Sequence, residues 1–401
     1  MEKTSRLTEF IFNLTIHNMK KFLSSVLLML LLYGVSMSDT ISAVHFITIL
    51  KNAPIEKKYS MVDSFIKAVE SFPFIEQDSV VTFLARCKAK KVFITGDFNN
   101  WKVEQQMKKI AYTDLWYYTT SFEPEARLDY KFVIDGNTWI LDPLNPATIP
   151  GGFGDNSELR MPEYLPAPEI EYHDTIPHGI LIDTVLFSQY LKNMREVIIY
   201  LPAGYEEFSE LPTIIFHDGT DYLNYAHADN ILDYCISKGL IKPVIGVFLP
   251  PIKRYEEYAG KYKEMYGDFI NRELFPYLYK HYSLSTDSRN HATIGASNGG
   301  NISLWLGLYY PDLLGKIGAQ SSYVEPELQT NYKQAEKLPL SIFLDMGKYD
   351  IPALEMLVGD FRSILSEKGY DFVYNEYPEG HSWGNWRAHL KDIIVFFFGL
   401  R

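Results

Sequence analysis

Gly295-Ala296-Ser297-Asn298-Gly299 lies between an apolar run, His291-Ala292-Thr293-Ile294, and a helix-like run, Asn301-Ile302-Ser303-Leu304-Trp305-Leu306-Gly307-Leu308. The five residues read G-x-S-x-G, and strand, sharp turn, helix is the order that a nucleophile elbow requires. In such a turn the serine side chain projects at the top of a sheet, and small residues two positions either side let strand and helix backbones approach closely. The flanking sequence supplies that sheet. Val197-Ile198-Ile199-Tyr200-Leu201, Thr213-Ile214-Ile215-Phe216-His217, Val244-Ile245-Gly246-Val247-Phe248 and Leu340-Ser341-Ile342-Phe343-Leu344 are apolar and rich in β-branched residues. Helix-like segments such as Tyr266-Gly267-Asp268-Phe269-Ile270-Asn271-Arg272-Glu273-Leu274 separate most of them. Continuous apolar strands alternating with helices predict a buried, mainly parallel sheet flanked by helices over residues 166–401, and a nucleophile elbow on such a sheet is the α/β-hydrolase arrangement.

A serine hydroxyl is a poor nucleophile near neutral pH and needs a base, which in turn needs an orienting acid. In this architecture the order is serine, acid, histidine. Asp350 falls just beyond the strand-like run that ends at Gly347, and His381 follows Phe372-Val373-Tyr374-Asn375-Glu376-Tyr377 in a turn opened by Pro378 and Gly380. Asp345 rivals Asp350 but lies inside the strand, His389 is the weaker rival of His381, and Asp350 has an alternative reading as the N-cap of a helix starting near Pro352. The oxyanion formed during ester cleavage needs backbone N–H groups already aimed at it. The N–H of Asn298, next after the serine, and one from the Gly219 loop after Thr213-Ile214-Ile215-Phe216 are the expected donors.

The first half of the chain has another texture. Residues 76–165 hold short strand-like runs, Val80 to Phe83, Lys91 to Thr95, Trp116 to Phe122 and Leu128 to Ile134, punctuated by turns at Gly96-Asp97-Phe98-Asn99-Asn100 and Asp135-Gly136-Asn137. That rhythm predicts a small β-sandwich. A proline-rich spacer, Met161-Pro162-Glu163-Tyr164-Leu165-Pro166-Ala167-Pro168, follows it. Residues 39–75 show helical spacing. Residues 1–38 read as a signal-peptide region: Met19-Lys20-Lys21, a short apolar core and small residues ending at Ser38, with Met19 as the expected start. The expected localisation is secreted or periplasmic, without a stable membrane span after cleavage; an uncleaved anchor is the alternative.

The 401 residues exceed one ordinary domain, and a formal net charge of −12 lacks the basic footprint that nucleic-acid binding needs. The two cysteines, Cys87 and Cys235, offer neither a disulfide framework nor a zinc-binding spacing, so no metal site is expected.

On these residues the chain resembles a known group. Arg195-Glu196-Val197-Ile198-Ile199-Tyr200-Leu201-Pro202-Ala203-Gly204-Tyr205, His217-Asp218-Gly219, Gly295-Ala296-Ser297-Asn298-Gly299-Gly300, Gly347-Lys348-Tyr349-Asp350 and Gly380-His381-Ser382-Trp383 resemble the α/β-hydrolase branch of enterochelin esterases, esterase D-like enzymes and carbohydrate esterase family 1 feruloyl or acetylxylan esterases. The resemblance implies catalytic roles for Ser297, Asp350 and His381, and places Asp221, Tyr222, Arg254 and Trp383 about the substrate pocket. Val92 to Trp101 and Tyr130 to Pro143 resemble immunoglobulin-like, early-set sandwiches of the glycogen-binding type. In glycan-binding members the tryptophans and lysine matching Trp101, Trp139 and Lys131 hold sugar rings, whose apolar faces a flat aromatic covers well.

The expectation is a serine esterase that needs no metal or organic cofactor. Its substrate would be a small-molecule or polysaccharide-linked ester, with carbohydrate-linked feruloyl or acetyl esters favoured and a catecholate siderophore trilactone as the alternative. An inactive scaffold that binds glycan, and an acyl transferase onto sugar, are the competing classes.

Overall fold

The computed structural model describes residues 42–69, 71–152 and 154–400. The signal-region reading of residues 1–38 lies outside the described residues. Two helices, Ala43–Asn52 and Ile55–Ala68, form a compact unit of their own with residues 110–113. Ser42 caps the first helix by accepting from the His45 N–H at 3.1 Å, and Phe46 stacks on Phe65 with ring centroids 3.7 Å apart.

Everything else forms a second compact unit. Its strands in chain order are β1 (Phe74–Glu76), β2 (Val80–Arg86), β3 (Val92–Gly96), β4 (Lys108–Lys109), β5 (Leu115–Ser121), β6 (Arg127–Ile134), β7 (Thr138–Ile140), β8 (Thr148–Ile149) and β9 (Asn156–Arg160). Then follow β10 (Ile180–Ser188), β11 (Asn193–Leu201), β12 (Thr213–His217), β13 (Ile245–Leu249), β14 (His291–Ala296), β15 (Lys316–Gln320), β16 (Ser341–Tyr349) and β17 (Asp371–Gly380). The first nine make the sandwich. One antiparallel sheet runs β1-β2-β5-β4, and β6 is the hub of the other, pairing with β3, β7 and β9. Alternate residues of the strands, among them Phe83, Ile94, Leu128, Tyr130 and Phe132, fill the space between the sheets.

The later strands form the α/β layer in the order β10-β11-β13-β12-β14-β15-β16-β17, parallel from β13 to β17 with β10 and β11 antiparallel. Successive residues feed opposite cores. Ile215 packs with Phe269, Leu304 and Phe361 on one face, whereas Ile214 packs with Ile231, Leu390 and Ile394 on the other. Helices Asn298–Tyr309 and Pro352–Glu367 cover the first face; Ala228–Ser237 and Trp383–Phe398 cover the second.

The sandwich and the α/β layer share a sheet. β17 pairs in parallel with β6 through Glu379 and Arg127, making one continuous sheet of 13 strands. The junction lies at the end of the strand that delivers His381. Cys87 and Cys235 are both free thiols. Among the described residues no helix is long and apolar enough to cross a membrane.

Candidate active site

Ser297 ends the turn after β14 with φ 56° and ψ −118°, a conformation costly for any residue with a Cβ. The surroundings impose it. The Ser297 N–H donates to Gln320 O at 2.8 Å, and Ser297 O accepts from the Tyr323 N–H at 3.1 Å. Gly295 is obligatory here, because a Cβ on it would lie 2.2 Å from Gly299 O, where the strand and the following helix touch. The N–H of Asn298 and the N–H of Gly219 donate to no group among the described residues. Both stand at helix starts, where such donors are available to an incoming anion.

The Gly219 loop is braced against the elbow. The Asp218 N–H donates to the Tyr258 hydroxyl at 2.9 Å, and the Asp218 carboxylate takes a two-pronged hydrogen bond from Arg254, 2.8 Å on each oxygen. Arg254 also donates to Ala296 O at 3.2 Å, so one guanidinium ties the loop to the residue before Ser297. Its side chain keeps 40% of its exposure, leaving part of it open to solvent. Below, His217 is fully buried between the Tyr266 hydroxyl and the Thr293 hydroxyl, and burial drives its pKa down to about 3, so it is neutral. Burial and the neighbouring Asp218 charge raise the Asp221 carboxyl above its ordinary range.

Asp350 follows β16 directly and His381 follows β17. His381 Nδ1 donates to Asp350 Oδ1 at 2.8 Å, and the same oxygen accepts the Ile351 N–H at 2.6 Å. The expected rivals are engaged elsewhere. Asp345 is buried under Gln320 Nε2 (3.2 Å) and the Ser321 N–H (3.1 Å), and burial raises its pKa to about 7. His389 Nε2 binds Glu379 at 2.7 Å. The capping alternative for Asp350 does not hold, since Ile351 occupies the N-cap of helix Pro352–Glu367 without a side-chain cap bond. No hydrogen bond joins Ser297 Oγ to His381, a contact that commonly tightens only with substrate bound.

Of the residues expected about the pocket, Tyr222 is fully buried and its hydroxyl donates to Gln320 Oε1 at 2.9 Å. Trp383 is only 8% exposed; it meets Tyr222 edge-on at 5.1 Å and Trp386 at 4.9 Å, and Trp386 meets the His381 ring at 5.0 Å. Both are thus part of an aromatic backing behind the histidine. An aromatic residue beside a motif gives no sequence signal that tells pocket wall from core.

A family model described as "Putative esterase" matches residues 188–397. The chain belongs to this esterase family. A second model, the glycogen recognition site of AMP-activated protein kinase, matches residues 80–152. The Bacillus subtilis (strain 168) protein YjcH is 26% identical over 233 residues, 54% of this chain and 97% of that protein. The enterobactin esterase from Shigella flexneri, in a structure with enterobactin, superimposes with a TM-score of 0.69 at 22% identity, covering 81% of this chain and 94% of that one. A ferulic acid esterase from Anaeromyces mucronatus, with ferulic acid, gives 0.50 at 20% identity, covering 58% and 95%.

The esterase carries its two matched tryptophans together on the sandwich. Trp101 and Trp139 lie nearly parallel, 23° between planes and 6.5 Å between centroids, with Trp139 46% exposed and Lys131 half-buried on the adjacent strand. Trp101 Nε1 donates to Asp97 Oδ1 at 3.0 Å.

Proposed function

We propose that the esterase cleaves carboxylic esters with Ser297 as nucleophile, His381 as general base and acid, and Asp350 as the group that orients His381. Ser297 Oγ would attack the ester carbonyl while His381 Nε2 takes its proton, and the N–H groups of Asn298 and Gly219 would hold the oxyanion. His381 then protonates the departing alcohol, and water releases the acyl group by the reverse sequence. The observation that carries the reading is the 2.8 Å bond from His381 Nδ1 to Asp350 Oδ1, which leaves Nε2 as the basic nitrogen. A fluorophosphonate probe tests it: the folded protein should label at Ser297, and a folded wild type that takes no label would sink the proposal.

For the substrate we favour carbohydrate-linked esters. The Trp101–Trp139 pair offers a flat, partly exposed aromatic surface, and Asp97 connects it to the His381 turn, where the Asp97 carboxyl lies directly on Gly380. The export expected from residues 19–38 would bring the enzyme to extracellular glycan. Trp139→Ala should lower retention on an immobilised α-glucan or xylan column by about tenfold while leaving the melting temperature unchanged, since stacking contributes about 1–1.5 kcal/mol. Equal retention of wild type and variant would remove glycan binding from the proposal. A catecholate trilactone is the second reading, favoured by the likeness to enterobactin esterase that extends over the sandwich as well as the α/β layer. Hydrolysis of methyl ferulate, acetylated xylan and a catecholate trilactone, side by side, separates the two; carbohydrate-linked substrates should show the higher kcat/KM.

A further inference from the structure

β6 places Leu128, Tyr130 and Phe132 in the sandwich core and turns Arg127, Asp129 and Lys131 to the other face. A polar set at period two is ordinarily a solvated face. Here the Arg127 side chain is fully buried and Asp129 nearly so. What covers them is the turn that carries His381. Arg127 Nε donates to Glu158 Oε1 and Nη2 to Asp129 Oδ1, both at 2.6 Å. Nη1 donates to Ser382 Oγ at 3.2 Å and lies 3.7 Å from Glu379 Oε2, an oxygen with no hydrogen bond of its own. Glu379 and Ser382 bracket Gly380-His381.

Two glycines record how close the approach is. A Cβ on Gly384 would fall 2.0 Å from Arg127 Cζ, and one on Gly380 would fall 2.0 Å from Asp97 Cγ. Side chains of the sandwich therefore rest directly on the backbone either side of His381. The α/β layer holds the opposite side: Asn385 Nδ2 donates to Gly380 O at 3.0 Å, and Trp386 meets the imidazole edge-on.

We propose that Arg127 is a positioning residue for the esterase reaction: through this guanidinium the β-sandwich fixes the Gly380-His381-Ser382 turn, and with it the ring nitrogen that exchanges a proton with Ser297. The proposal rests on the reading of His381 as the base. A buried ion cluster alone would be weak evidence for any role. The argument is in where the cluster ends. Glu158 and Asp129 already satisfy two edges of the guanidinium within the sandwich, whereas the third edge is spent on the residue next to the histidine, and its plane is seated on Gly384.

Ser382→Ala is the mild probe. The Ser382 side chain makes no capping bond to helix Trp383–Phe398, so the substitution deletes the link to Arg127 and strands no buried charge. With the full chain and p-nitrophenyl acetate, Ser382→Ala should lower kcat and the rate of fluorophosphonate labelling about tenfold at unchanged KM and melting temperature, because small displacements of a catalytic group are costly. Arg127→Met should lose about a hundredfold or more, and Arg127→Lys should recover part of that loss. Arg86→Gln, which breaks the Arg86–Asp114 pair (3.1 Å) elsewhere in the sandwich, should keep wild-type kcat even if the protein melts earlier. If Arg127→Met does not fold, Ser382→Ala decides. Folded Ser382→Ala and Arg127→Lys with kcat and labelling within twofold of a wild type that reacts through Ser297 would overturn the positioning role alone. A wild type that does not react through Ser297 would overturn both this role and the proposed mechanism.

Discussion

Ser297→Ala should reduce kcat/KM on any ester substrate by about 10^4- to 10^6-fold and abolish fluorophosphonate labelling, while the folded structure persists. Its hydroxyl forms no hydrogen bond within the described residues, so no buried partner is stranded by its removal. The backbone makes a sharper prediction. At φ 56° and ψ −118° an alanine suffers the same strain as serine, but a glycine does not, because these angles mirror an ordinary extended conformation. Ser297→Gly should therefore be as inactive as Ser297→Ala yet more stable than wild type. Release of about 1 kcal/mol would raise the apparent melting temperature by about 2 °C. Scanning calorimetry of the three proteins checks it. If the glycine variant melts at or below the alanine variant, the elbow stores no strain; if the alanine variant retains labelling, Ser297 is not the nucleophile.

Much of this site was legible because its parts are local. The elbow needs a strand, five residues and a helix in sequence, and His291–Ala296 and Asn298–Tyr309 supply them around Ser297. The loops holding Asp350 and His381 follow strands whose apolar runs announce themselves. The central strand Lys316–Gln320 was not legible: glycine, lysine and glutamine break its apolar pattern, although Gln320 holds the Ser297 N–H. Nor was the junction between the layers. Arg127, Asp129 and Glu158 alternate with core residues, as a solvent-facing row would, and only the pairing of β17 with β6 shows that another layer covers them. Long-range burial of polar residues has no signature at the scale of a single strand. The burial of Tyr222 was hidden for the complementary reason, since its place beside the Gly219 loop does not say which way its ring turns.

Asp350→Asn should lower kcat by about 10^2- to 10^3-fold, less than the 10^4 that follows when an amide forces the wrong imidazole tautomer. The difference follows from the Ile351 N–H. Asp350 Oδ1 accepts from both Ile351 and His381, at 2.6 and 2.8 Å, while Oδ2 is buried with no hydrogen-bond partner. An asparagine with its amino group at the Oδ1 site would set donor against donor at Ile351. The favoured orientation keeps the amide oxygen there and buries the amino group without an acceptor, at a cost of about 1–3 kcal/mol in stability. His381 then still donates from Nδ1, and Nε2 stays basic. What is lost is the negative charge that stabilises the imidazolium formed as Ser297 gives up its proton. Without that charge the protonated ring is disfavoured, and with it the step in which His381 takes the Ser297 proton. Asp345→Asn supplies the contrast. Burial holds that carboxyl near pKa 7, and its oxygens accept from Gln320 and Ser321 rather than from His381, so the variant should lose no more than about tenfold. Steady-state rates of the two variants read both effects. A larger loss in Asp345→Asn than in Asp350→Asn would assign the orienting acid to the wrong carboxylate.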